Sequence, residues 1–258
     1  MNYIIGKNSR LGLALKIKIE DSILISSDEL KVAIINDTLS ALFKKAENII
    51  NCIAITDPLV GMSSIRYVNY EIPLLLNKFC MGRNIGLINF GTVFEESNMD
   101  NDYVRSKRQC ANDLIYKNTV HLRLNTIYGG LANPISHMFL GQMVHALESR
   151  QLFEMTSGVQ YREYHSYDAI AKYVADNLGV LVTGIHDLSS GDGIRLRDLA
   201  QYIFQSQNAL SLLKLGDQVG DSERMNPRPR ALAPEINYIN TSLLDIDFYI
   251  RRCLSKIL

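Results

Sequence analysis

The stretch that decides the fold lies near the start of the chain and reads YIIGKNSRLG, from Tyr3 to Gly12. Its first three residues are apolar and of β-forming type, which predicts a short buried strand. A turn with two glycines follows, and an amphipathic helix pattern begins inside that turn. A strand that passes through a glycine turn directly into a helix is the opening unit of an α/β sheet.

The same alternation continues through the first half of the chain. Apolar runs and helical patterns predict strands at 23–25, 32–35, 49–54, 85–90 and 120–124, and helices at 36–45, 63–80 and 103–116. The strands show little polar alternation, so we expect them to be buried on both faces of a parallel sheet. The pattern therefore predicts a Rossmann-type α/β domain, with a doubly wound parallel sheet, over residues 1–130.

The alternation of predicted strands and helices becomes less regular after Tyr128, where glycines and prolines interrupt the pattern. Helices are predicted at 135–148 and 242–257. Arg228 and Arg230 flank a proline in an irregular stretch, where solvated charge is the simplest interpretation. We predict that residues 131–258 form mainly a smaller lobe and a C-terminal helix, with some segments returning to the sheet.

Composition excludes several classes of partner. Among 258 residues, 27 are Lys or Arg and 27 are Asp or Glu, so the formal net charge is zero and favours neither nucleic acid nor an anionic membrane. The four cysteines are scattered without metal-ligand spacing, which predicts reduced thiols and no metal site. No apolar run is long enough to span a bilayer and no secretory pattern opens the chain. We expect a cytoplasmic protein without membrane insertion.

The glycine turn also carries chemistry. Gly6 and Gly12 have the outer spacing of a G-x-x-G-x-x-G turn, with Ser9 in place of the middle glycine. Such a turn lets the amides at a helix N-terminus approach a pyrophosphate, which makes Arg10 and Leu11 candidates as well. Two glycines near a helix start are also an ordinary turn and packing contact. Their place directly after the first strand favours the dinucleotide interpretation.

Tyr103 and Lys107 form a second candidate site. Four residues apart on a predicted helix, they share one face. An ammonium beside a phenol lowers the pKa of the phenol, which predicts proton exchange with a carbonyl or hydroxyl near neutral pH. A solvated helix face would look the same, but the pair opens the helix between two predicted strands.

The ordered series of segments resembles the extended short-chain dehydrogenases/reductases, the NAD-dependent epimerase/dehydratase family. It is most similar to the dTDP-4-dehydrorhamnose reductase group. The segments that carry the resemblance follow the family's order along most of the chain and lie at 49–56, 67–69, 89–94, 121–129, 158–169 and 188–193.

The resemblance implies a reaction and its residues. NAD(P)H would reduce a keto group on a nucleotide-linked deoxy sugar for surface-glycan synthesis, with Tyr103 protonating the oxygen. Lys107 would assist Tyr103 and bind the cofactor ribose, and a Ser or Thr hydroxyl would hold the carbonyl. Ala54 and Thr56 would lie beside the cofactor.

The substrate segments follow from the same resemblance. Arg162 would form a charge-assisted fork with the diphosphate of the nucleotide sugar. Thr126 lies in the loop after a family strand, and His165 lies in the sugar-nucleotide segment. For His165, a surface role is as compatible with the sequence as a sugar contact.

The chain departs from the family at the catalytic hydroxyl. Phe90 occupies the position of the usual Ser or Thr. Thr92 would point to the same face if the strand continued, so it either supplies the hydroxyl or is structural. The loop from Thr92 to Tyr103 is short, and its acids Glu95 and Glu96 are expected to cap or be solvated. The region from 17 to 35 is compressed, leaving little room for a helix between the predicted second and third strands.

Cofactor preference rests on the end of the second strand. That strand ends at Ser26 and Ser27 rather than at a carboxylate that would bind ribose hydroxyls and repel a 2′-phosphate. Lys7 and Arg10 lie in the glycine turn, although both are also explained as surface charge. The sequence favours NADP(H) over NAD(H).

Two alternative functions stay open, and homodimer formation is a separate expectation. An epimerase or dehydratase that retains NAD would share the fold, but Gly91-Thr92 lacks the acid pair that a dehydratase uses. A non-catalytic nucleotide-binding protein would explain Phe90 and the short loop. A homodimer formed through the helices at 63–80 and 103–116 is plausible, although burial of these helices within one chain would leave the same pattern.

Overall fold

The computed structural model describes residues 1–57, 59–130, 136–191, 193–218 and 241–255. The stretch with Arg228 and Arg230 lies outside them. The chain divides into two compact units, Met1–Leu124 with Tyr167–Leu188, and Asn125–Ser166 with Ser189–Leu258. Each unit is described by itself below.

Both units contain β-strands. In chain order they are β1 Asn2–Ile5, β2 Ser22–Ile25, β3 Asn48–Asn51, β4 Gly86–Thr92, β5 Thr119–Leu124, β6 Thr126–Tyr128, β7 Phe153–Met155, β8 Tyr161–Arg162, β9 Tyr164–Ser166, β10 Gly184–Leu188, β11 Ile194–Arg195 and β12 Leu213–Leu215. In the first unit, six of them form one sheet in the order β10-β5-β4-β3-β1-β2, with every neighbouring pair parallel.

The helices alternate with the strands. They are α1 Arg10–Lys18, α2 Ser27–Ile35, α3 Leu39–Leu42, α4 Met62–Arg66, α5 Ile72–Met81, α6 Asp102–Asp113, α7 Phe139–Ser149, α8 Tyr167–Asp176, α9 Leu196–Ser206 and α10 Leu243–Ser255. A π-helical segment, Tyr67–Glu71, joins α4 to α5, so the predicted long helix is continuous through this region. The parallel sheet with intervening helices confirms the predicted Rossmann-type α/β fold.

Residues 32–35 are helical, and the prediction of a strand there is wrong. Ser26 caps α2 by accepting from the Glu29 backbone N–H, and the Glu29 side chain accepts from the Ser26 N–H. This capping box stabilises a helix start. Leu30 and Ala33 are buried while Ile35 is largely exposed, a helical rather than a strand pattern. A full helix therefore separates β2 from β3, and the predicted compression of this region is wrong as well.

The core of the first unit lies against the parallel sheet. Strands β1, β3 and β4 are buried along almost their whole length, as expected for a sheet covered on both faces. One cluster of buried apolar residues joins these strands to α2, α5 and the segment after α3, and comprises Tyr3, Ile5, Ile25, Leu30, Phe43, Ile49, Ile72, Leu76, Phe79, Cys80, Ile85 and Leu87.

In its described residues, the second unit contains short strand pairs, the helices α7, α9 and α10, and a 3-10 helix at Leu210–Leu212. Strand β6 pairs with β9 and β7 with β12 in parallel, while β8 pairs with β11 in antiparallel fashion. Helices α7, α9 and α10 contribute most of a separate apolar core, which includes Met143, Leu199, Phe204, Ile246 and Ile250. In the part of the chain that the structure covers, no helix is both long and apolar enough to cross a membrane.

Candidate functional site

The predicted glycine turn is built at the carboxyl end of β1. Gly6 has φ +116°, a left-handed backbone that disfavours residues with a Cβ. The backbone N–H groups of Gly6 and Lys7 donate to the Ile25 carbonyl at 2.8 and 3.1 Å, and the Ser9 N–H donates to the Gly6 carbonyl at 2.8 Å. These bonds fold the turn back against the end of β2.

Ser9 caps the helix that follows the turn. Its Oγ accepts from the Gly12 N–H at 2.9 Å, and α1 begins at Arg10. A Cβ on Gly12 would overlap the Gly6 carbonyl oxygen, so α1 lies in close contact with the turn. Ser9 thus takes the middle glycine's position as an N-cap. The backbone of Arg10 and Leu11 forms the positive end of the helix, which can hold a phosphate.

The side chains around the turn have partners. Burial raises the pKa of the Tyr167 hydroxyl. Arg10 forms a hydrogen bond with that hydroxyl, and this bond acts in the opposite direction. Lys7 lies near Glu29, whose pKa is lowered first by its bond to the Ser26 backbone. Ser27 is exposed at the first position of α2. The predicted cations are therefore near the turn, and each already interacts with another side chain.

The segment after β3 borders the same edge of the sheet. Asn69 braces it by bonding the backbone N–H and carbonyl of Ile55 at 3.0 and 2.8 Å. Ala54 is exposed and Thr56 partly exposed on either side of Ile55. Asn51, the last residue of β3, has a buried Oδ1 without a partner among the described residues. This orphaned acceptor, together with the glycine turn and the amino end of α1, fits a dinucleotide.

Tyr103 and Thr92 are brought together at the end of β4. Thr92 is the last residue of that strand, and Tyr103 lies in the first turn of α6. The Thr92 hydroxyl lies close enough to the Tyr103 phenol to act on it, and its effect is to lower the pKa of that phenol. Because β1 and β4 are parallel strands of one sheet, the glycine turn and Thr92 lie at the same edge, where α/β folds bind ligands.

The protonation of Tyr103 differs from the prediction. Burial is the main cause that raises the pKa of its phenol, and the Glu95 carboxylate raises it further, while the Thr92 hydroxyl acts in the opposite direction. Lys107 is not among the causes. The expectation that Lys107 brings this phenol close to neutral pH is wrong for the structure, and Tyr103 holds its proton.

Lys107 is buried, with 2% of its surface exposed. Its Nζ donates to the Phe90 carbonyl oxygen at 2.8 Å. Burial lowers its pKa, against the smaller opposite effects of Cys110 and Glu95. An ammonium has three N–H donors, so Lys107 retains donors beyond the one used by Phe90.

Strand β4 continues through Thr92, which decides where the hydroxyl lies. Phe90 pairs with Leu122 and Thr92 with Leu124 in the register with β5. Both Phe90 and Thr92 are buried, and their spacing places them on one face. The hydroxyl that reaches Tyr103 therefore comes from Thr92, two residues beyond the family position.

A buried polar network below Thr92 was missed by the sequence analysis. Glu95 accepts from the Thr92 N–H at 2.9 Å, and its two oxygens lie 3.2 and 3.1 Å from His121 Nε2. His121 Nδ1 lies 3.0 Å from the Asn89 side-chain amide. Two signals pointed to it: a histidine inside an apolar strand, and the capping-box spacing from Thr92 to Glu95.

Arg108 holds the short loop before α6. Its guanidinium donates to the carbonyl oxygens of Glu95, Ser97 and Met99 at 2.7, 2.6 and 3.0 Å. Three bonds from one side chain fix the path of this loop. Arg108 was not identified from the sequence, because no local pattern indicates which carbonyls a helix arginine will reach.

The predicted substrate residues all lie in the second unit. Arg162 is partly buried in β8, where its guanidinium donates to the Tyr161 carbonyl at 2.9 Å, and burial lowers its pKa. Thr126 begins β6 and donates its backbone N–H to the Glu163 carbonyl at 3.1 Å. His165 is fully buried rather than on the surface.

Glu163 is a buried hydrogen-bond centre that the sequence did not reveal. Its carboxylate accepts from His165 Nε2 at 2.9 Å, Ser189 Oγ at 2.6 Å, and the backbone of Ser190 and Gly191 at 2.9 and 3.0 Å. Burial acts to raise the pKa of Glu163, but the donors outweigh it and the pKa is lowered. His165 is therefore held by Glu163, and its buried Nδ1 has no partner in the described part of the chain.

Comparison with known proteins gives structural matches only. No protein-family profile and no characterised sequence matches the chain. Among solved structures, the UDP-glucose 4-epimerase from Thermotoga maritima with UDP-glucose is 10% identical, covers 100% of both chains and has a TM-score of 0.80.

Two further structures represent other reactions. A dTDP-4-dehydrorhamnose reductase from Clostridium acetobutylicum is 16% identical over 97% of this chain and 99% of that chain, with a TM-score of 0.74. A dTDP-glucose 4,6-dehydratase from Streptomyces venezuelae with NAD bound is 14% identical over 98% and 96%, with a TM-score of 0.72. The chain has the fold that these enzymes share, which confirms the resemblance at the level of the fold.

Proposed function

We propose that the chain is an NAD(P)H-dependent reductase that acts on a keto group of a nucleotide-linked deoxy sugar, for surface-glycan synthesis. The observation that carries the proposal is the convergence of the Tyr103 phenol, in the first turn of α6, and the Thr92 hydroxyl, at the end of β4, on one edge of the parallel sheet. Two converging hydroxyls define a place where one carbonyl oxygen can accept from both.

Tyr103 is the proton donor in this proposal. When bound, the nicotinamide supplies the hydride that adds to the keto carbon. The Thr92 hydroxyl donates a hydrogen bond to the keto oxygen and orients it. The Tyr103 O–H bond breaks as its proton moves to that oxygen, and the phenolate regains a proton from solvent.

The raised pKa of Tyr103 favours this direction of chemistry. A phenol that holds its proton is ready to protonate a developing alkoxide. An epimerase or dehydratase would first remove a proton from a sugar hydroxyl, which requires a phenolate. A dehydratase acid at Gly91 is also excluded, because a Cβ there would overlap Glu95 and His121.

For the cofactor, we propose NADP(H) in preference to NAD(H). Gly6, the Ser9-capped start of α1 and Gly12 would hold the pyrophosphate. Lys7 and Arg10 beside the turn favour a 2′-phosphate. Two acidic residues, Asp28 and Glu29, follow β2 in the first turn of α2, and Glu29 is engaged with Ser26. Titration with NADPH and NADH tests the preference.

For the substrate, we propose that Arg162 binds the diphosphate. Its guanidinium is partly desolvated, as its lowered pKa shows, and it stays charged because arginine does not deprotonate in proteins. An anionic diphosphate would offset that desolvation. We propose that Thr126 and His165 line the sugar site, with the His165 imidazole held in place by Glu163.

The first test is thermal unfolding with NADPH and NADH titrated separately. A dinucleotide that binds only the folded state raises the unfolding midpoint by mass action. We expect stabilisation, larger with NADPH. No stabilisation by either at ~1 mM contradicts the proposal. Keto derivatives of dTDP- and UDP-sugars are then screened with Tyr103→Phe as the control, which should bind the dinucleotide and lose turnover.

A non-catalytic nucleotide-binding protein is the second candidate. It is favoured by Phe90 at the family's hydroxyl position and by the bond from buried Lys107 to the Phe90 carbonyl, which gives Lys107 a structural role. One set of measurements distinguishes the two candidate functions. A non-catalytic protein would be stabilised by dinucleotide but would show no Tyr103-dependent turnover with any keto sugar.

Homodimer formation also stays a prediction. The outward surface of α6 carries the polar residues Arg105, Asn112 and Asp113, with Arg105 paired to Asp100 and Asp113 bonded to Tyr70. A dimer through this helix would therefore be polar rather than apolar, and sedimentation at several salt concentrations would detect it.

A further inference from the structure

A directional chain of hydrogen bonds runs across three strands beneath Thr92. Asn51 Nδ2 donates to Asn89 Oδ1 at 2.9 Å, and Asn89 Nδ2 donates to His121 Nδ1 at 3.0 Å. His121 Nε2 meets both oxygens of Glu95. All four side chains are buried, so water does not compete for these bonds.

This chain selects one form of the imidazole. Because Asn89 Oδ1 accepts from Asn51, its Nδ2 is the atom that faces His121 and can only donate. Nδ1 of His121 must therefore accept and carry no proton. The single proton lies on Nε2 and is donated to Glu95. A second proton on Nδ1 would place two donors opposite each other and break the bond to Asn89.

Glu95 is fixed in place from several directions. Its Oε1 accepts the Thr92 N–H, and its own backbone carbonyl accepts from Arg108. A Cβ on Gly91 would overlap Glu95 Oε1 and His121 Nε2, so only glycine leaves room for the pair. The carboxylate is thereby tied through one residue to the hydroxyl beside Tyr103.

We propose that the Glu95–His121 pair is a positioning device for Tyr103: His121, with its proton on Nε2, donates to Glu95 and holds that side chain on the Thr92 N–H, so that Thr92 and the phenol stay aligned. This inference rests on the proposed function for its consequence in catalysis. The tautomer of His121 can be tested without cofactor or substrate. Glu95 and His121 are positioning residues, because Thr92 and Tyr103 would touch the keto oxygen.

Other charged and titratable groups face this pair. Helix α6 contributes Tyr103, Lys107, Arg108 and Cys110, the segment after it contributes Tyr116, and β5 contributes Arg123, which pairs with Glu96 and Asp187. Glu95 raises the pKa of Tyr103, as a nearby negative charge should. Glu95 also acts on Lys107, whose Nζ donates to the Phe90 carbonyl oxygen.

The first experiment is side-chain nitrogen NMR on the wild-type chain, whose five histidines are assigned by substitution. His121→Gln identifies the signal. We expect the His121 signals to show the tautomer protonated at Nε2, with Nδ1 as the acceptor. A signal from the imidazolium, or from the tautomer protonated at Nδ1, would overturn the proposal.

The second experiment follows Tyr103 itself. In Glu95→Gln, we expect ionisation of Tyr103 to begin at least about one pH unit lower than in wild type. Tyrosinate absorbance, with Tyr103→Phe subtracted, measures this shift, and the alkaline limb of kcat should move with it. Glu96→Gln is the matched control, because Glu96 is half-exposed and pairs with Arg123. An unchanged Tyr103 titration in Glu95→Gln would contradict the proposal.

Two substitutions of His121 distinguish loss of its hydrogen-bond donor from misfolding. His121→Gln keeps an amide donor near the Nε2 position, whereas His121→Leu leaves Glu95 without that donor. We expect His121→Gln to retain most of the wild-type kcat and His121→Leu to lose it, with dinucleotide stabilisation retained in both. Equal kcat in the two variants overturns the proposal. If the wild type did not bind a dinucleotide, the proposed function would be contradicted. The NMR result on His121 would be unaffected.

Discussion

The Nζ atom of Lys107 donates to the carbonyl oxygen of Phe90 at 2.8 Å, in a site where Lys107 is almost fully buried. This bond ties α6 to the carboxyl-terminal part of β4, two residues before Thr92. Burial makes the charged form of Lys107 less favourable and lowers its pKa below the ordinary value of 10.5.

That lowered pKa predicts a dependence of stability on pH. In the window from the folded pKa up to 10.5, the unfolded chain binds the proton of Lys107 more tightly than the folded chain. The contribution of Lys107 to the free energy of unfolding therefore rises with pH in this window. We expect Lys107→Met to remove this rise. Urea unfolding of both proteins at several pH values below 10.5 measures it, and parallel curves would contradict the expectation.

Gly12→Ala tests the contact between the turn and α1. The added Cβ would overlap the Gly6 carbonyl oxygen, which belongs to backbone and cannot move aside cheaply. We expect a loss of about 1–3 kcal/mol in the free energy of unfolding, together with loss of dinucleotide stabilisation. Gly61→Ala is the control, because no atom lies within 4 Å of its Cβ position, and it should cost less than about 1 kcal/mol.

Thr92→Val tests the displaced hydroxyl. Valine keeps the shape of threonine but has no hydroxyl, so we expect turnover to fall by about 10²–10³-fold while dinucleotide binding persists. Thr92→Ser retains a hydroxyl and should keep most of the activity. If Thr92→Val turned over keto sugars like the wild type, Thr92 would be structural only.

Phe90→Thr restores the hydroxyl at the family position. Phe90 is buried, and the substitution leaves a cavity, so we expect destabilisation of about 3–5 kcal/mol. We expect no rise in turnover, because Thr92 already supplies the hydroxyl on that face. A gain in kcat would show that the Phe90 position, and not Thr92, is where the carbonyl oxygen is held.

Arg108→Lys tests the loop before α6. One ammonium cannot reach the three carbonyls that the guanidinium bonds, since these belong to Glu95, Ser97 and Met99. We expect a loss of about 1–3 kcal/mol and faster amide hydrogen exchange in residues 95–101. Exchange in β1, far along the sheet, is the internal reference and should not change.

Glu163→Gln tests the buried carboxylate of the second unit. Its lowered pKa means that the carboxylate contributes stability above the ordinary value of 4.5, which is lost as pH falls through the folded pKa. We expect the substitution to cost about 2–4 kcal/mol near neutral pH and progressively less in acid. A cost that is the same at pH 7 and in acid would show that the charge of Glu163 is not what matters.

The sequence by itself determined the type of sheet and the edge at which the candidate site lies. The strand that enters a glycine turn at Gly6, followed by apolar runs without alternation, leaves few arrangements other than a parallel sheet with intervening helices. Sequence patterns with a local physical cause were sufficient for this. The strand predicted at 32–35 failed because its β-branched residues were weighed above the Ser26 capping box, which stabilises α2 locally.

Only the tertiary structure decided the chemistry around Tyr103. The pKa of its phenol depends on burial and on Glu95 rather than on Lys107 four residues away, and the hydroxyl beside it comes from Thr92 because β4 continues past Phe90. The imidazole of His121 reaches Glu95 from another strand. These relationships join residues that are distant in sequence, and they follow from register and packing, which local propensities do not encode.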